Sequence, residues 1–419
     1  MNCRLKYELV HKLIQEFGSP LYVFHKKEFV ENYLNLLNTI RSYYPKYNIA
    51  YSYKTNYTPK ICQIVKELGG LAEVVSDMEF ELARKIGYDF NGIIYNGPVK
   101  GEESFTHLKN GGIVNVDNLQ ELNSIIEFAK SLPQISFKIA FRVNIDIGQG
   151  FVSRFGIDAY EELHKCYTSD LYQAFKLTKT VPNISVGGLH CHVGKSRSIE
   201  AWKNRIRAMF ILVDRYFSER KLEFIDFGSG MYSVMEPELS EQFGNDLPSF
   251  QDYAEVIGNA MYSKYGHLPE NDQPILYTEP GTTLISGFVS FLTTVKSIKR
   301  VKQKTFVTFD SSCGNMGEIC QSKNLPIENN PVSNEFEPVE DATFVGYTCL
   351  EHDHLYEGYT GLLCPGNVIQ FMNVGSYSNV FKPPFILPNC AMVQIDDVDQ
   401  VELIKRKECF EDVFQTYVF

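Results

Sequence analysis

Between about residue 45 and residue 281, short runs of apolar and β-branched residues alternate with longer segments whose apolar positions recur every three to four residues. The first pattern suits a buried strand and the second a helix packed on one face. Eight runs are predicted as strands: Asn48–Tyr53, Leu71–Ser76, Gly92–Asn96, Ile113–Asp117, Lys138–Ile145, Ser185–Val193, Glu223–Gly228 and Pro274–Glu279. Helix-length segments separate most of them, as in Thr58 to Leu68, where Ile61, Ile64, Val65 and Leu68 share a face and Gly69-Gly70 ends the run. This alternation predicts an α/β fold, a parallel (β/α)8 TIM barrel rather than an open sheet.

After residue 281 the alternation stops. Leu284–Thr294, Lys304–Phe309, Ala342–Gly346, Asn367–Met372 and Ala391–Ile395 read as strands separated by loops, which predicts a second, β-rich domain. Leu21–Phe24 reads as a strand of that same domain. The expected division is therefore a barrel over 25–281 and a β-rich domain built from 1–24 and 282–419. Lys323–Asp341, acidic and carrying three prolines, is predicted to be an exposed loop.

A length of 419 residues agrees with about two domains. With 44% hydrophobic and 22% charged residues the chain has ordinary soluble composition. A net charge of −11 argues against nucleic acid or an anionic membrane as partner and leaves a small molecule. No run of about 18 apolar residues occurs, and Met1 to Lys6 lacks the apolar core of a signal peptide, so a cytoplasmic location is expected. The ten cysteines, at 3, 62, 166, 191, 313, 320, 349, 364, 390 and 409, form no Cys-x-x-Cys pair. That suggests neither a zinc ribbon nor a disulfide framework, and most are expected to be small buried hydrophobes.

In a barrel of this kind chemistry takes place at the carboxyl ends of the strands. The residues there are Lys54, Ser76, Asn96, Asp117, Arg142 with Asn144, His192, Gly228-Ser229-Gly230 and Glu279. Lys54 ends a strand of apolar and aromatic residues. Desolvation there favours the free amine, which can hold a carbonyl cofactor as a Schiff base, although a lysine snorkelling from a strand end has the same sequence. The glycine turn would let backbone N–H groups approach a phosphate, and a tight turn needs glycine in any case. Glu279, in Glu279-Pro280-Gly281, is placed either to hold a proton on a pyridine nitrogen or to serve as a helix-cap or interface glutamate. His190 and His192 share one side of their strand; they would stack on a flat cofactor or bind a metal, and His352-Asp353-His354 adds to the metal reading.

The order of Tyr53-Lys54-Thr55-Asn56, Val74-Val75-Ser76, Phe141-Arg142-Val143-Asn144, Ser153-Arg154-Phe155-Gly156, Gly188 to Gly194, the turn at 228–230, Glu279-Pro280-Gly281, Cys349 and Tyr377 resembles the fold-type III pyridoxal-phosphate decarboxylases. These are the diaminopimelate and ornithine decarboxylase family, with an alanine-racemase-like barrel and a β domain, and the resemblance runs from about residue 20 to 395. It implies pyridoxal 5'-phosphate carried covalently by Lys54, with His192 stacked on its ring, Glu279 at the ring nitrogen and Arg142 beneath. Gly228, Ser229, Gly230 and Tyr377 would hold the phosphate, and Ser76 and Gly281 are counted with the cofactor-binding residues. It further implies an amino acid substrate and a head-to-tail homodimer with shared active sites, in which Cys349 of the partner subunit protonates the decarboxylated carbon. A glutamate rather than an arginine at the ring nitrogen separates this pattern from that of alanine racemases.

Four departures bear on the substrate. Thr282 stands where the family has an arginine after Glu-Pro-Gly. Leu350 follows Cys349 where the family has an acid, and Glu351 or Asp353 would replace it only with a shift of register. Asp310 to Met316 replaces an arginine-containing segment, and Lys195 takes the place of a serine. These changes fall on substrate recognition more than on cofactor recognition, and point to a specialised biosynthetic substrate other than diaminopimelate, including larger conjugated amino acids. The alternatives are a metal-dependent barrel hydrolase using His190, His192, His352 and His354, and a pyridoxal-phosphate protein or racemase without decarboxylase activity.

Overall fold

Eight parallel strands close on themselves in the computed structural model, which describes residues 3–148, 150, 152–160, 169–244, 246–332, 336–396 and 400–419. They are Tyr47–Ser52, Leu71–Val74, Ile93–Tyr95, Ile113–Val116, Phe137–Asn144, Ile184–His190, Phe224–Asp226 and Ile275–Thr278. Each pairs with the next, and the last pairs with the first, so the predicted barrel is present. All eight expected strands occur, with ends moved by a few residues. Leu71–Val74 ends early because Ser76 accepts a hydrogen bond from Glu79 N–H and caps the helix Asp77–Ile86. The first strand stops at Ser52, and Lys54 lies in the 3-10 turn Tyr53–Thr55 that follows it. Ile157–Asp158 forms a further short strand beside Phe137–Asn144.

The inside of the barrel is built in layers. Ala50, Leu71, Ile94, Ala140, Phe224 and Tyr277 cluster there, with Ile113 and Ile275 packed against them. Gly188 makes room for this plug, since a Cβ added there would lie 2.8 Å from the Phe224 ring. Two residues further along each strand the same inward face turns polar, with Ser52, Glu73, Asn96, Asn115, Arg142, His190, Asp226 and Glu279. All eight are buried. Groups of this kind are stable inside a protein only when they satisfy one another, and that requirement shapes the site.

The chain divides into two compact units, 34–232 with 248–281 for the barrel, and 1–33, 233–247 and 282–419 for the other. This division differs from the expected boundaries at 25–33 and 233–247. The second unit is a nine-stranded mixed sheet in which Leu21–His25 lies antiparallel to Val289–Val301 and parallel to Ala391–Ile395. Leu21, Val23, Leu292, Val368, Ala391 and Val393 form its core together with Val10 and Leu13 of the helix Tyr7–Phe17.

The sequence misplaces several elements of this unit. The strand expected from Leu284 begins only at Val289, after helical turns at Thr282–Ile285 and Ser286–Phe288. Asn32 donates to the carbonyls of Thr283 and Leu284 at 3.2 and 3.3 Å and so takes the role that a ladder partner would have. The stretch predicted as an exposed loop, Lys323–Asp341, contains the strand Ile327–Asn330, paired with Val368–Phe371, and the start of Glu337–Val345. Pro326 and Pro331 bracket the first of these instead of interrupting it; residues 333–335 lie outside the described set. The strands His354–Leu363 and Val401–Lys405 were not predicted. Among the described cysteines only Cys3, Cys62, Cys191 and Cys390 are buried, fewer than expected, and Cys166 is outside the described residues. No helix among the described residues is long and apolar enough to cross a membrane.

Candidate active site

Lys54 projects from the turn after the first barrel strand and meets a carboxylate that the second strand supplies. Its Nζ lies 2.5 Å from Glu73 Oε2, and Ser52 Oγ donates to the same oxygen. Ser52 and Glu73 are register partners in adjacent parallel strands, which brings the acid beside the turn. Glu73 is fully buried whereas the lysine side chain is about one third exposed, so the amine faces an opening and its counterion faces the barrel interior. Asn96 continues the chain from the third strand. Its amide donates to Glu73 Oε1 at 2.8 Å and to Glu279 Oε1 at 2.5 Å, and its oxygen accepts from Asn115 at 2.6 Å.

Glu279 is the most heavily engaged group. Besides Asn96 it meets His190 Nε2 at 3.0 Å and His192 Nδ1 at 3.4 Å, and its backbone N–H donates to Gly228 O at 2.8 Å. Burial opposes its ionisation, but contact with His190 and His192 outweighs burial and holds the carboxyl well below the usual carboxylate range. Asp226, on the neighbouring strand, behaves oppositely. Burial and the charge on Glu279 push it well above the usual range, so this acid keeps its proton, and Oδ1 accepts from Gly228 N–H at 2.8 Å. Desolvation also lowers His192 to about 4, which leaves a neutral imidazole on the cavity wall at neutral pH.

Arg142, at the end of the fifth strand, lies over the Phe155 ring at 4.7 Å and 3.8 Å from Asp117, which accepts from Gly156 N–H at 3.0 Å. Gly228 (φ +61) and Gly230 (φ +109) adopt conformations that side chains rarely take, and a Cβ at Gly228 would stand 2.7 Å from His192 Cβ. Gly281 is packed as closely, for a Cβ there would lie 2.7 Å from Thr55 Cβ. Lys54, Glu73, Asn96, Arg142, His192 and Glu279 line one cavity of about 630 Å3, together with Arg154, Phe155, His190 and Lys195.

Of the residues named from sequence, the barrel unit therefore gathers Lys54, Asn96, Arg142, His192 and Glu279 on this cavity, with the Gly228-Ser229-Gly230 turn against His192. Ser76 is occupied as a helix cap, while its neighbour Val75 lines the cavity. Cys349 and Tyr377 belong to the other unit; the cysteine is exposed, and the tyrosine has a left-handed backbone (φ +51). Asp353 is not available to replace the missing acid beside Cys349. It is buried and accepts from Cys313 N–H at 2.7 Å and from Thr348 Oγ1 and N–H at 2.6 and 3.3 Å. The four histidines of the metal reading divide between the two units. Among the described residues, His190 and His192 form a ligand-like group only with Glu279, while His352 and His354 lie in the second unit. Sequence reasoning missed Glu73 and Asp226, whose signal was an acid within a short apolar strand, two positions beyond an inward-facing hydrophobe. It also missed Arg205, buried in the helix Ile199–Tyr216.

An amine paired with a buried acid, a buried carboxylate kept ionised by imidazoles, and a glycine turn, all at the carboxyl end of a TIM barrel, define a pyridoxal-phosphate enzyme of the barrel type. The residues fit that cofactor: the carboxylate can hold a proton on a ring nitrogen, the neutral imidazole offers a flat face, and the cavity exceeds what the ring alone needs. The chain belongs to the pyridoxal-dependent decarboxylase family, whose pyridoxal binding domain matches residues 31–286, and it is a pyridoxal-phosphate-dependent amino acid decarboxylase. It is 24% identical over 421 residues to the diaminopimelate decarboxylase of Aquifex aeolicus, covering 96% of this chain and 93% of that one. To the diaminopimelate decarboxylase of Archaeoglobus fulgidus it is 26% identical over 422 residues, covering 97% and 94%. Among solved structures, diaminopimelate decarboxylase from M. jannaschii in complex with L-lysine superposes with a TM-score of 0.82 at 24% identity, covering 97% and 94%. Lysine decarboxylase from Selenomonas ruminantium gives a TM-score of 0.73 at 20% identity, covering 95% and 98%.

Proposed function

We propose that Lys54 anchors pyridoxal 5'-phosphate covalently and that the substrate amine displaces it. The observation that carries this reading is the unbroken run of contacts from Lys54 through Glu73 and Asn96 to Glu279. When bound, the cofactor supplies an electron sink for the pair left behind as the substrate carboxylate departs as CO2. Glu279 would pair with the ring nitrogen and keep a proton there, His192 would stack on the ring, and Glu73 would orient the Lys54 amine. Arg142 would sit beneath the cofactor, and Gly228, Ser229, Gly230 and Tyr377 would hold the phosphate. Cys349 of the partner subunit, across a head-to-tail homodimer, returns a proton to the carbon that lost CO2. The location is the cytoplasm.

The substrate we assign is a specialised biosynthetic amino acid rather than free diaminopimelate. Leu350 offers no charge beside Cys349, and the engagement of Asp353 with Thr348 and Cys313 removes one of the two substitutes, leaving Glu351. Conjugated amino acids belong to the class to be tried.

The first experiment is the visible spectrum of the purified protein before and after borohydride, followed by peptide mapping. A chromophore bleached by borohydride, with a pyridoxyl group left on Lys54, is expected. A colourless protein carrying zinc would sink the assignment. Cys349→Ala is expected to keep the chromophore and lose turnover. CO2 release would then be measured with diaminopimelate, lysine, ornithine, glutamate and carrier-linked amino acids; rapid turnover of free diaminopimelate would overturn the specialised substrate.

A further inference from the structure

A phosphate monoester brings nearly two negative charges at neutral pH, and a glycine turn answers them only with N–H dipoles. In this turn two of those dipoles already point elsewhere. Gly228 N–H donates to Asp226 at 2.8 Å, and Ser229 N–H points to His192 Nδ1 at 3.3 Å. A countercharge has to come from a side chain.

Four cations line the cavity: Lys54, Arg142, Arg154 and Lys195. Lys54 is paired with Glu73, and Arg142 and Arg154 both lie over Phe155, at 4.7 and 4.3 Å. Lys195 is placed differently, because the backbone on both sides of it is fastened to the turn. The buried Arg205 guanidinium donates from Nη1 to Phe227 O at 2.9 Å and Ser229 O at 2.7 Å. From Nη2 it donates to Val193 O at 2.9 Å and Ser196 O at 3.4 Å. One cation thus ties the residues flanking Gly228 to the residues flanking Lys195. Gly230 lies directly against the same segment: a Cβ there would stand 3.5 Å from Ser196 O and would collide with Val193 O. Lys195 itself is exposed at the cavity mouth.

We propose that Lys195 supplies the positive charge that holds the cofactor phosphate at the Gly228-Ser229-Gly230 turn, a role that rests on the pyridoxal-phosphate reading. A flexible ammonium also suits a phosphate that is approached from one side as a point charge.

The test is titration of cofactor-free wild type, Lys195→Gln and Lys195→Arg with pyridoxal phosphate and, separately, with pyridoxal, followed by absorbance of the Lys54-bound chromophore. Lys195→Gln is expected to weaken pyridoxal phosphate by about 10- to 100-fold, the range of one charge-assisted hydrogen bond, and to leave pyridoxal unchanged. Lys195→Arg should stay near wild type, and added salt should weaken phosphate binding less in Lys195→Gln than in wild type. Equal losses for both ligands would overturn the proposal, as would unchanged cofactor affinity with a raised KM for the amino acid. A wild type that takes up neither ligand would overturn the cofactor reading and this assignment together, whereas failure of the variant pattern alone leaves that reading standing.

Discussion

The side-chain amide of Asn96 lies 2.5 Å from Glu279 and donates its other hydrogen to Glu73, so one neutral residue separates and joins the two carboxylates. Asn96→Asp keeps the shape, removes both donors and adds a third anion. At least a tenfold loss of cofactor affinity and a lower Tm are expected, in keeping with about 1–3 kcal/mol for each buried acceptor left unsatisfied. Absorbance titration and thermal melting would check this, and wild-type values in both would refute the bridging role.

Asp353 ties the turn that carries Cys349 to the segment that carries Cys313. Asp353→Ala leaves part-buried donors without an acceptor and is expected to cost about 1–2 kcal/mol of stability. Turnover should fall while the cofactor spectrum stays unchanged. A parallel loss of chromophore and turnover would contradict this division of labour.

Arg205 makes four hydrogen bonds to carbonyls, and burial lowers its guanidinium only to about 10, so it stays charged at neutral pH. Arg205→Met is expected to lower the unfolding free energy by about 2–4 kcal/mol, since four buried carbonyls lose their donor. Denaturant titration measures this. A change below about 1 kcal/mol would mean that water can enter and replace the guanidinium.

Two buried histidines should make stability depend on pH. His25 contacts Ser290 Oγ at 2.9 Å and His107 contacts Ile93 O at 3.1 Å, and burial lowers both to about 4 from an ordinary value of 6.5. The folded values lie below the unfolded ones, so as pH falls below about 6.5 the unfolded chain takes up protons first. Stability present above that pH is lost down to about pH 4, on the order of 3 kcal/mol for each residue. Urea midpoints at several pH values should fall along that slope, and His107→Gln should flatten it; an unchanged slope would exclude His107 as a contributor.

The barrel was legible because its strands are bounded by helices of clear periodicity, and Lys54 and Glu279 because each stands at a strand end. The polar layer beneath them was less so. Glu73 and Asp226 read as ordinary acids until pairing of neighbouring strands sets Glu73 opposite Ser52 and Asp226 opposite Tyr277, two residues before Glu279, a relationship of register that periodicity within one strand does not show. Ser76 looked like a rim residue because a helix cap and a strand end occupy the same position in the pattern. The β-rich unit was read least well. His354–Leu363 alternates burial irregularly against Glu337–Val345, where the register shifts three times, so no clean period of two marks it.

The strand Leu21–His25 leaves a mark on how the protein is made. Its parallel neighbour Ala391–Ile395 emerges about 370 residues later, roughly 20–70 s at ordinary rates of synthesis. The barrel strands are complete well before then, while Leu21, Val23 and the helix Tyr7–Phe17 wait for the apolar surface that will cover them. A segment made before the barrel is therefore among the last to reach its final partners. Removing Ala391–Ile395 would uncover Leu21 and Val23.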